Sequence, residues 1–353
     1  MSFIKKKEVL TKVHQFMREV KKNGNKINNV PRAMVINYNN ACNFRCDFCY
    51  STVASSRINK TTLSLDKVKD LANEADELGI WEIVLQGGEL TMNKNALIEL
   101  IEALGPQRFQ VVLITNGYLI TRKYAQELLD AGLDCLAVSL STMNAEAHDK
   151  ERHIKNSHER ALKALEYAKD VGLAAWPNVI FGHHNAFSDE LQELLDWTKE
   201  KEYPIYFIMA MPYGSFKDDK MDANDMRRLD YIRKNYNCYF NTWDMYDPKK
   251  EKITGCWSVN RSYISPLGDV FPCPFLPIRI GNVYENSLKE ILDYGFSIKH
   301  FGEYSPICIA AFNHSFRKKY LKENSSIFKY DDAKEVFSEK DYIKKTDIGE
   351  IKC

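Results

Sequence analysis

Short apolar runs alternate with amphipathic stretches between residues 33 and 211. The runs are rich in Val, Ile, Leu and aromatic residues, which is typical of strands buried on both faces. The six candidate strands are 33–39, 81–87, 109–116, 134–141, 173–181 and 204–211. The stretches between them carry helix signals, such as an N-cap at Ser64 and a stop at Gly79. Further predicted N-caps are Asn95, Thr121, Ser157 and Ser188.

Six strands with intervening helices predict βα units and a parallel sheet. Nothing like a seventh and eighth unit follows residue 212, so a closed eight-stranded barrel is disfavoured. The predicted fold class is α/β: a partial (β/α)6 TIM barrel with a small α+β extension at the carboxy-terminal side. Functional residues in such sheets gather at the carboxyl ends of the strands.

The pattern changes on both sides of the barrel. The segment 1–32 has apolar residues at helical spacing, and "SYISPLGDVFPC" predicts a hairpin that turns at 266–269, followed by a short helix over 287–295. The predicted organisation is an N-terminal helix (1–32), the barrel (33–215), a linker and helix (216–250), the extension (251–320) and a charged tail (321–353).

The composition narrows the possible partners and location. The 353 residues carry 49 basic and 48 acidic side chains, a formal charge of +1, so no nucleic acid or anionic membrane surface is expected as a partner. No run reaches the roughly 18 apolar residues of a membrane span, and the first residues lack a secretion signal. We therefore expect a cytoplasmic protein.

Nine cysteines in such a chain are expected to be reduced and to serve in metal or redox chemistry where they cluster. "ACNFRCDFCYS" places Cys42, Cys46 and Cys49 at C-x3-C-x2-C spacing. Thiolates so close together bind a soft metal or an iron–sulfur cluster. A zinc-binding interaction module would need four closed ligands, whereas this loop offers three and no nearby histidine. A cubane cluster held by three cysteines leaves one iron open for another ligand.

This loop resembles that of the radical S-adenosylmethionine (SAM) superfamily, in which an aromatic residue, here Phe48, usually precedes the third cysteine. The resemblance implies that Cys42, Cys46 and Cys49 hold a [4Fe-4S] cluster whose open iron binds SAM. Reduction by a donor such as flavodoxin or ferredoxin then generates a 5′-deoxyadenosyl radical that abstracts a substrate hydrogen atom. A plain iron–sulfur electron carrier is the disfavoured non-enzyme alternative.

Other strand ends match the same superfamily. "QGGEL" ends the second strand with Gly87, Gly88 and Glu89, where the family binds the methionine amino group; glycines admit close backbone approach and a carboxylate favours an ammonium. Ser139 and Arg152 correspond to contacts with the ribose and the methionine carboxylate. The further residues that the resemblance assigns to cofactor binding are Thr115, Asn116, Ser141, Asn178 and Met211. Ser141 stands where many members have an aspartate, which weakens that contact.

A second cysteine group lies in the predicted extension. Cys256, Cys273 and Cys308, with a "GN" strand and a "SLKEI" helix, resemble the SPASM domain or its short form, the twitch domain. The resemblance implies one auxiliary [4Fe-4S] cluster. Ala311 occupies the position of a frequent fourth cysteine, so the fourth ligand stays open. The candidates are substrate, water, His314, Cys238 and Cys353.

Enzymes with this extension act on peptides or on small carbohydrate-like metabolites. We favour an oxidative modification or crosslink of a peptide or natural-product precursor, with a carbohydrate or aminoglycoside-type dehydrogenase or epimerase as the alternative. Cys238 falls between the barrel and the extension and is a candidate hydrogen-atom donor, whereas Cys135 lies within strand four and is expected in the core.

Overall fold

A computed structural model describes residues 4–49, 61–211, 216–239, 253–322 and 329–344. Six parallel strands in sequence order form the middle of its main sheet. They are β1 (Ala33–Asn37), β2 (Glu82–Gln86), β3 (Gln110–Thr115), β4 (Cys135–Ser139), β5 (Ala174–Phe181) and β6 (Ile205–Met209). Each strand end lies within two residues of its predicted position, so the series of βα units is confirmed.

Helices precede, connect and follow these strands. They are α1 (Lys7–Lys22), α2 (Leu65–Glu77), α3 (Lys94–Ala103), α4 (Arg122–Asp130), α5 (Ala145–Arg152), α6 (Ser157–Val171), α7 (Asp189–Glu200) and α8 (Ala223–Asn235). Ser64, Thr121 and Ser188 accept the capping hydrogen bonds as predicted. The prediction was wrong at two N-caps, where Asn93 takes the place of Asn95 and Asn156 that of Ser157.

The sheet separates two apolar layers because successive side chains of a strand point to opposite faces. Val35, Val84 and Val112 face the barrel interior, where Trp176 and Tyr206 fill the space. The neighbouring positions of the same strands pack against the helices. These positions include Ile36, Leu85 and Leu113. Cys135 is fully buried in the interior layer, as expected of a core residue.

Four short strands extend the sheet to ten. The sequence predicted a hairpin and a "GN" strand among them, but not that they join the sheet of the barrel. They are β7 (Cys238–Tyr239), β8 (Arg261–Ile264), β9 (Asp269–Phe271) and β11 (Gly281–Asn282). β7 lies parallel to β6, and β8 lies parallel to β1, so the barrel and the extension share one sheet. A two-residue strand such as β7 is too short to show an apolar run. The fold class is nevertheless the predicted one, an α/β partial barrel with an extension.

The extension begins with the predicted hairpin. β8 and β9 pair antiparallel, and Gly268 in their turn has a φ of +83°, a conformation that glycine adopts without steric cost. The remaining elements are β10 (Ile278–Arg279), α9 (Leu288–Ser297), α10 (Lys299–Gly302), α11 (Ile309–Phe312), α12 (His314–Tyr320), β12 (Asp331–Asp332) and α13 (Ala333–Val336). The predicted domain boundary near 250 stays a prediction, because residues 240–252 lie outside the described part of the chain.

None of the helices in the described residues is both long and apolar enough to cross a membrane.

Candidate functional site

The cysteine loop follows β1 at the carboxyl edge of the sheet, where the end of β2 holds its backbone. The Gly88 N–H donates to the Asn39 carbonyl at 2.8 Å, and the Glu89 N–H donates to the Ala41 carbonyl at 2.7 Å. A Cβ atom on Gly88 would lie 2.0 Å from the Ala41 carbonyl oxygen. Glycine is therefore required here for the close approach of the cysteine loop itself, a role that the sequence did not reveal.

Cys42, Cys46 and Cys49 are half-buried and close enough for their charges to interact. Burial raises the pKa of the Cys42 thiol to about 11 and that of the Cys46 thiol to about 12. The Phe44 N–H lies 3.4 Å from the Cys42 sulfur as a hydrogen-bond donor. Three converging thiols with a peptide donor fit an iron–sulfur cluster, whose binding would displace the thiol protons.

Glu89 is buried and joins the ends of β2 and β3. Its Oε1 accepts from the Thr115 hydroxyl at 2.8 Å, and its Oε2 accepts from the Asn116 N–H at 2.7 Å. Thr91 donates to Oε1 through both its N–H and its hydroxyl. Burial raises the pKa of this carboxyl, and the four hydrogen bonds oppose that rise. The predicted contact of Glu89 with a SAM amino group stays a prediction, and Oε2 is the oxygen with fewer protein donors.

Arg152, the last residue of α5, is buried beside the cysteine loop. Its Nη1 donates to the Ser141 hydroxyl at 3.1 Å and to Glu151 Oε2 at 2.8 Å. Its guanidinium carbon lies 5.2 Å from the centroid of the Phe48 ring. The charge of Arg152 also opposes the rise in the pKa of Cys46. The structure thus brings two predicted site residues, Ser141 and Phe48, and the cysteine Cys46 together around Arg152.

The remaining predicted cofactor residues lie at the same edge. Asn116 Nδ2 donates to Asn43 Oδ1 at 2.9 Å, which connects the end of β3 to the cysteine loop. Ser139 and Asn178 are opposite each other in the register of β4 and β5. Met211 follows β6 and packs half-buried against the core. The predicted roles of Ser139, Asn178 and Met211 in binding the cofactor stay predictions.

Two residues near this edge were not predicted from the sequence. Asn43 lies inside the cysteine loop and accepts the Asn116 amide described above. Phe216 lies with its ring centroid 6.5 Å from that of Phe48 and 4.9 Å from that of His184. The aromatic residue of the loop is therefore covered by the segment that follows β6. No sequence signal identifies a single phenylalanine in a polar segment as such a contact.

Cys238 is buried in the described part of the chain, and its predicted role as a hydrogen-atom donor stays a prediction. Its side chain is only 1% exposed and packs in the layer between the sheet and the helices. In the register of β6 and β7 it pairs with Ile205, the first residue of β6. That position is the amino edge of the sheet, whereas the cysteine loop is at the carboxyl edge. Cys238 is a core residue.

The second thiol group is also assembled. Cys256, Cys273 and Cys308 are close enough for their charges to interact. A hydrogen bond between the Cys308 and Cys256 thiols lowers the pKa of Cys256 and raises that of Cys308. Burial raises the pKa of Cys273 to about 12.

Backbone N–H groups point at all three sulfurs of the second group. Ile309 and Ser258 donate to Cys256, Phe275 and Leu276 donate to Cys273, and Ala311 donates to Cys308. Hydrogen bonds to the sulfurs are a feature of protein iron–sulfur sites and tune their potentials. The donor set fits an auxiliary cluster with three cysteine ligands.

Two protein candidates for a fourth ligand lie in the described residues, and their role as ligands stays a prediction. His314 is exposed, and its Nδ1 accepts from Arg317 Nη2 at 2.7 Å. Cys238 is buried next to Ile205 of β6. Cys353 lies outside the described residues. Water and substrate are the other candidates for the fourth ligand.

The two thiol groups lie toward opposite edges of the sheet. Cys256 precedes β8, and Cys273 follows β9 next to the Pro272 carbonyl, which accepts from the Val259 N–H at 2.7 Å. Both are thus near the amino end of β8, which is level with the amino end of β1. There the buried Arg32 pairs with Glu82 at 2.7 Å and lies 4.1 Å from the ring centroid of Trp257. Trp257 is adjacent to Cys256, so this cation connects the barrel to the second group.

Family models match both segments. The model of the radical SAM superfamily matches residues 36–198, and that of the SPASM iron–sulfur cluster-binding domain matches residues 256–310. The second match covers all three cysteines of the extension.

Curated relatives have several activities. The chain is 30% identical to a GTP 3',8-cyclase of Campylobacter curvus, covering 66% of this chain and 76% of that one. It is 26% identical to an AdoMet-dependent heme synthase of Methanosarcina barkeri (74% and 82% covered). It is 24% identical to a PqqA peptide cyclase of Bradyrhizobium diazoefficiens (69% and 67% covered).

Among solved structures, SuiB of Streptococcus suis is similar in fold. The TM-score is 0.59 at 18% identity, covering 79% of this chain and 69% of SuiB. SuiB bound to its precursor peptide SuiA gives a TM-score of 0.53 at 20% identity, covering 74% and 63%.

Proposed function

The chain belongs to the radical SAM superfamily, and from this premise we propose that it carries out an oxidative modification or crosslink of a peptide or natural-product precursor. The superfamily and its SPASM domain imply SAM, a [4Fe-4S] cluster and an auxiliary iron–sulfur cluster as cofactors. When bound and reduced, these cofactors supply a 5′-deoxyadenosyl radical that removes a hydrogen atom from the substrate. The observation that carries the proposal is the presence of two separate, assembled groups of three thiols.

In this proposal the residues at the carboxyl edge of the sheet bind and orient the cofactors. Cys42, Cys46 and Cys49 hold the first cluster. Arg152 supplies a buried positive charge that orients the methionine carboxylate, because a guanidinium forms strong, directional hydrogen bonds with carboxylates. Glu89 fixes the ends of β2 and β3 and offers Oε2 to the methionine ammonium. The remaining predicted residues, Thr115, Asn116, Ser139, Ser141, Asn178 and Met211, line the same edge.

The second thiol group favours an oxidative outcome. A substrate that has lost a hydrogen atom must lose one more electron to become an oxidised product, and an auxiliary cluster held by Cys256, Cys273 and Cys308 is a suitable acceptor. The burial of Cys238 also supports this outcome, because a buried thiol is poorly accessible to a substrate radical. We propose a flavodoxin or ferredoxin as the external reductant.

The peptide part of the proposal is supported by relatives of known substrate. PqqA peptide cyclase and the SuiB–SuiA complex are both, by name, proteins that act on or bind a peptide. The 30% identity to GTP 3',8-cyclase favours a second candidate, a cyclisation of a nucleotide. A carbohydrate or aminoglycoside-type dehydrogenase or epimerase is the third candidate, which the sequence analysis raised.

Iron analysis tests the two-site observation. Anaerobically reconstituted protein should hold about two cubane clusters, roughly eight irons per chain. Replacing Cys42, Cys46 and Cys49 together by alanine should remove about half of the iron, and the same change at Cys256, Cys273 and Cys308 should remove the other half. Zinc without iron in the wild-type protein would contradict the proposal.

Product analysis tests the reaction. Reduced holoprotein with SAM should convert a peptide encoded by a neighbouring gene into a product lighter by two hydrogens. The Cys273→Ala variant should fail to form that product. An unchanged peptide mass, together with turnover of GTP or of a sugar, would contradict the peptide proposal and favour one of the other candidates.

A further inference from the structure

A small pocket lies where the segment after β6 meets the helices of the extension. Its volume is about 40 Å³, which has room for one small chemical group, since a cavity needs about 10–15 Å³ of such space to hold one water molecule. One wall is apolar, and the rest of the lining is charged. The residues that line it are Ala210, Lys217, Asp219, Lys220, Met221, Ala311, Phe312, His314 and Arg317.

Three of the lining side chains are cations, and their charges are not balanced by carboxylates. In the part of the chain that the structure describes, no carboxylate is paired with Lys217, Lys220 or Arg317. The one acidic side chain of the lining, Asp219, is already engaged. Its Oδ1 accepts from the His183 N–H at 2.8 Å, and its Oδ2 accepts from the His184 N–H at 3.1 Å.

Arg317 is the central feature of the pocket. It is half-buried, and its Nη2 donates to His314 Nδ1 at 2.7 Å. Its Nη1 is buried and has no hydrogen-bond partner. A buried charged donor without a partner is costly, and that cost disappears when an anion accepts its hydrogen bonds.

Two contacts connect the lining of the pocket to the two thiol groups. Ala311 on one wall donates its N–H to the Cys308 thiol. Lys217 on another wall follows Phe216, whose ring contacts Phe48 of the cysteine loop. The lining of the pocket is therefore connected through neighbouring residues to both thiol groups.

We propose that this pocket binds one oxyanion of the substrate, a carboxylate or a phosphate, with Arg317 as the principal donor and Lys217 and Lys220 as supporting charges. This inference rests on the proposed function and adds to it that the substrate is acidic. In a peptide the group is an acidic side chain or the terminal carboxylate, and in a nucleotide it is a phosphate. The apolar wall of Ala210, Met221 and Phe312 accommodates the carbon atoms next to that group.

The experiment is a calorimetric titration of reconstituted full-length protein with acetate and, separately, with inorganic phosphate at low ionic strength. Saturable binding of either anion to the wild type is expected, and the tighter of the two indicates the source of the substrate's charge. Arg317→Gln should weaken that binding about tenfold or more, since the loss of a hydrogen bond to a charged group lowers an affinity by about that factor. Arg317→Lys should retain part of it, and Lys220→Gln should weaken it less.

Lys318→Gln is the matched control, because it removes one positive charge from an exposed neighbour on α12. Its anion affinity should equal that of the wild type. No saturable binding to the wild type, or equal losses in Arg317→Gln and Lys318→Gln, would overturn the inference. The titration needs neither reductant nor SAM, so a protein that cleaves SAM but does not bind the anions would contradict this inference alone.

Discussion

The guanidinium carbon of Arg152 lies 5.2 Å from the centroid of the Phe48 ring. Arg152 ends α5, and Phe48 lies between the second and third cysteines of the loop after β1. The contact adds a cation–π attraction to the hydrogen bonds with Ser141 and Glu151. It fixes a buried positive charge next to the Cys46 thiol, which is where a carboxylate of the cofactor is expected.

The first prediction concerns that charge. Arg152→Gln should weaken the binding of SAM to cluster-loaded protein by about 10- to 100-fold, the value of a charge-assisted hydrogen bond of about 1.5–3 kcal/mol. Lys150→Gln removes an exposed charge from the same helix and should leave the affinity unchanged. Equilibrium binding of SAM is the measurement, and equal affinities in the two variants would refute a role for Arg152.

The second prediction concerns the contact between Gly88 and the cysteine loop. Gly88→Ala would place a methyl group against the Ala41 carbonyl. The position of a Cβ atom is fixed by its own backbone and the carbonyl is a backbone group, so neither can rotate away. We expect a loss of stability of about 1–3 kcal/mol and the loss of the loop's iron. Gly172→Ala is the control. Its left-handed backbone makes an alanine cost about 1–2 kcal/mol of stability, but nothing lies within 4 Å of its Cβ position, so the iron content should not change. Full iron content in Gly88→Ala would show that the loop does not need this approach.

The third prediction concerns the fully buried pair of Arg32 and Glu82. Burial lowers the pKa of Arg32 to about 10, and the charge of Glu82 opposes that change. Glu82→Gln leaves the cation uncompensated and should lower the free energy of unfolding by about 3–5 kcal/mol. Glu19→Gln disrupts the exposed pair with Lys22 and should cost about 0–1 kcal/mol. Urea unfolding compares them, and similar midpoints would contradict the importance of the buried pair.

The fourth prediction follows from the core position of Cys238. Cys238→Ala should cost about 1 kcal/mol of stability and leave both SAM cleavage and the mass of the product unchanged. Once a substrate is known, the reaction in heavy water is the sharper measurement. A product that gains one deuterium from solvent, and loses that gain in Cys238→Ala, would restore the thiol as a hydrogen donor and favour epimerisation.

The elements of the barrel could be predicted because each strand is a local apolar run and each helix has local caps. The pairing of β8 with β1 could not be predicted, since it joins residues more than 200 positions apart and the sequence of neither strand indicates its partner. β7 escaped prediction because two residues carry no periodicity. The cap at Asn93 was misplaced by two positions, since Asn93 and Asn95 are equally suitable residue types.

In the candidate site, too, local features could be predicted from the sequence and tertiary contacts could not. The spacing of Cys42, Cys46 and Cys49 is visible in the sequence because the ligands lie in one loop. The contact of Phe216 with Phe48 and the cation that joins Trp257 to the barrel depend on tertiary packing and leave no local pattern. Cys238 was assigned from its position along the chain, which did not indicate the edge of the sheet at which it lies.

The most direct test of the central claim is the formation of 5′-deoxyadenosine by anaerobically reconstituted protein with a strong reductant and SAM. The wild type should form it slowly even without substrate, and Cys135→Ala, which changes a core thiol outside both groups, should do the same. Cys46→Ala should form none, because the loop then lacks a cluster ligand. Equal amounts from Cys46→Ala and the wild type would show that the cysteine loop is not the cleaving site.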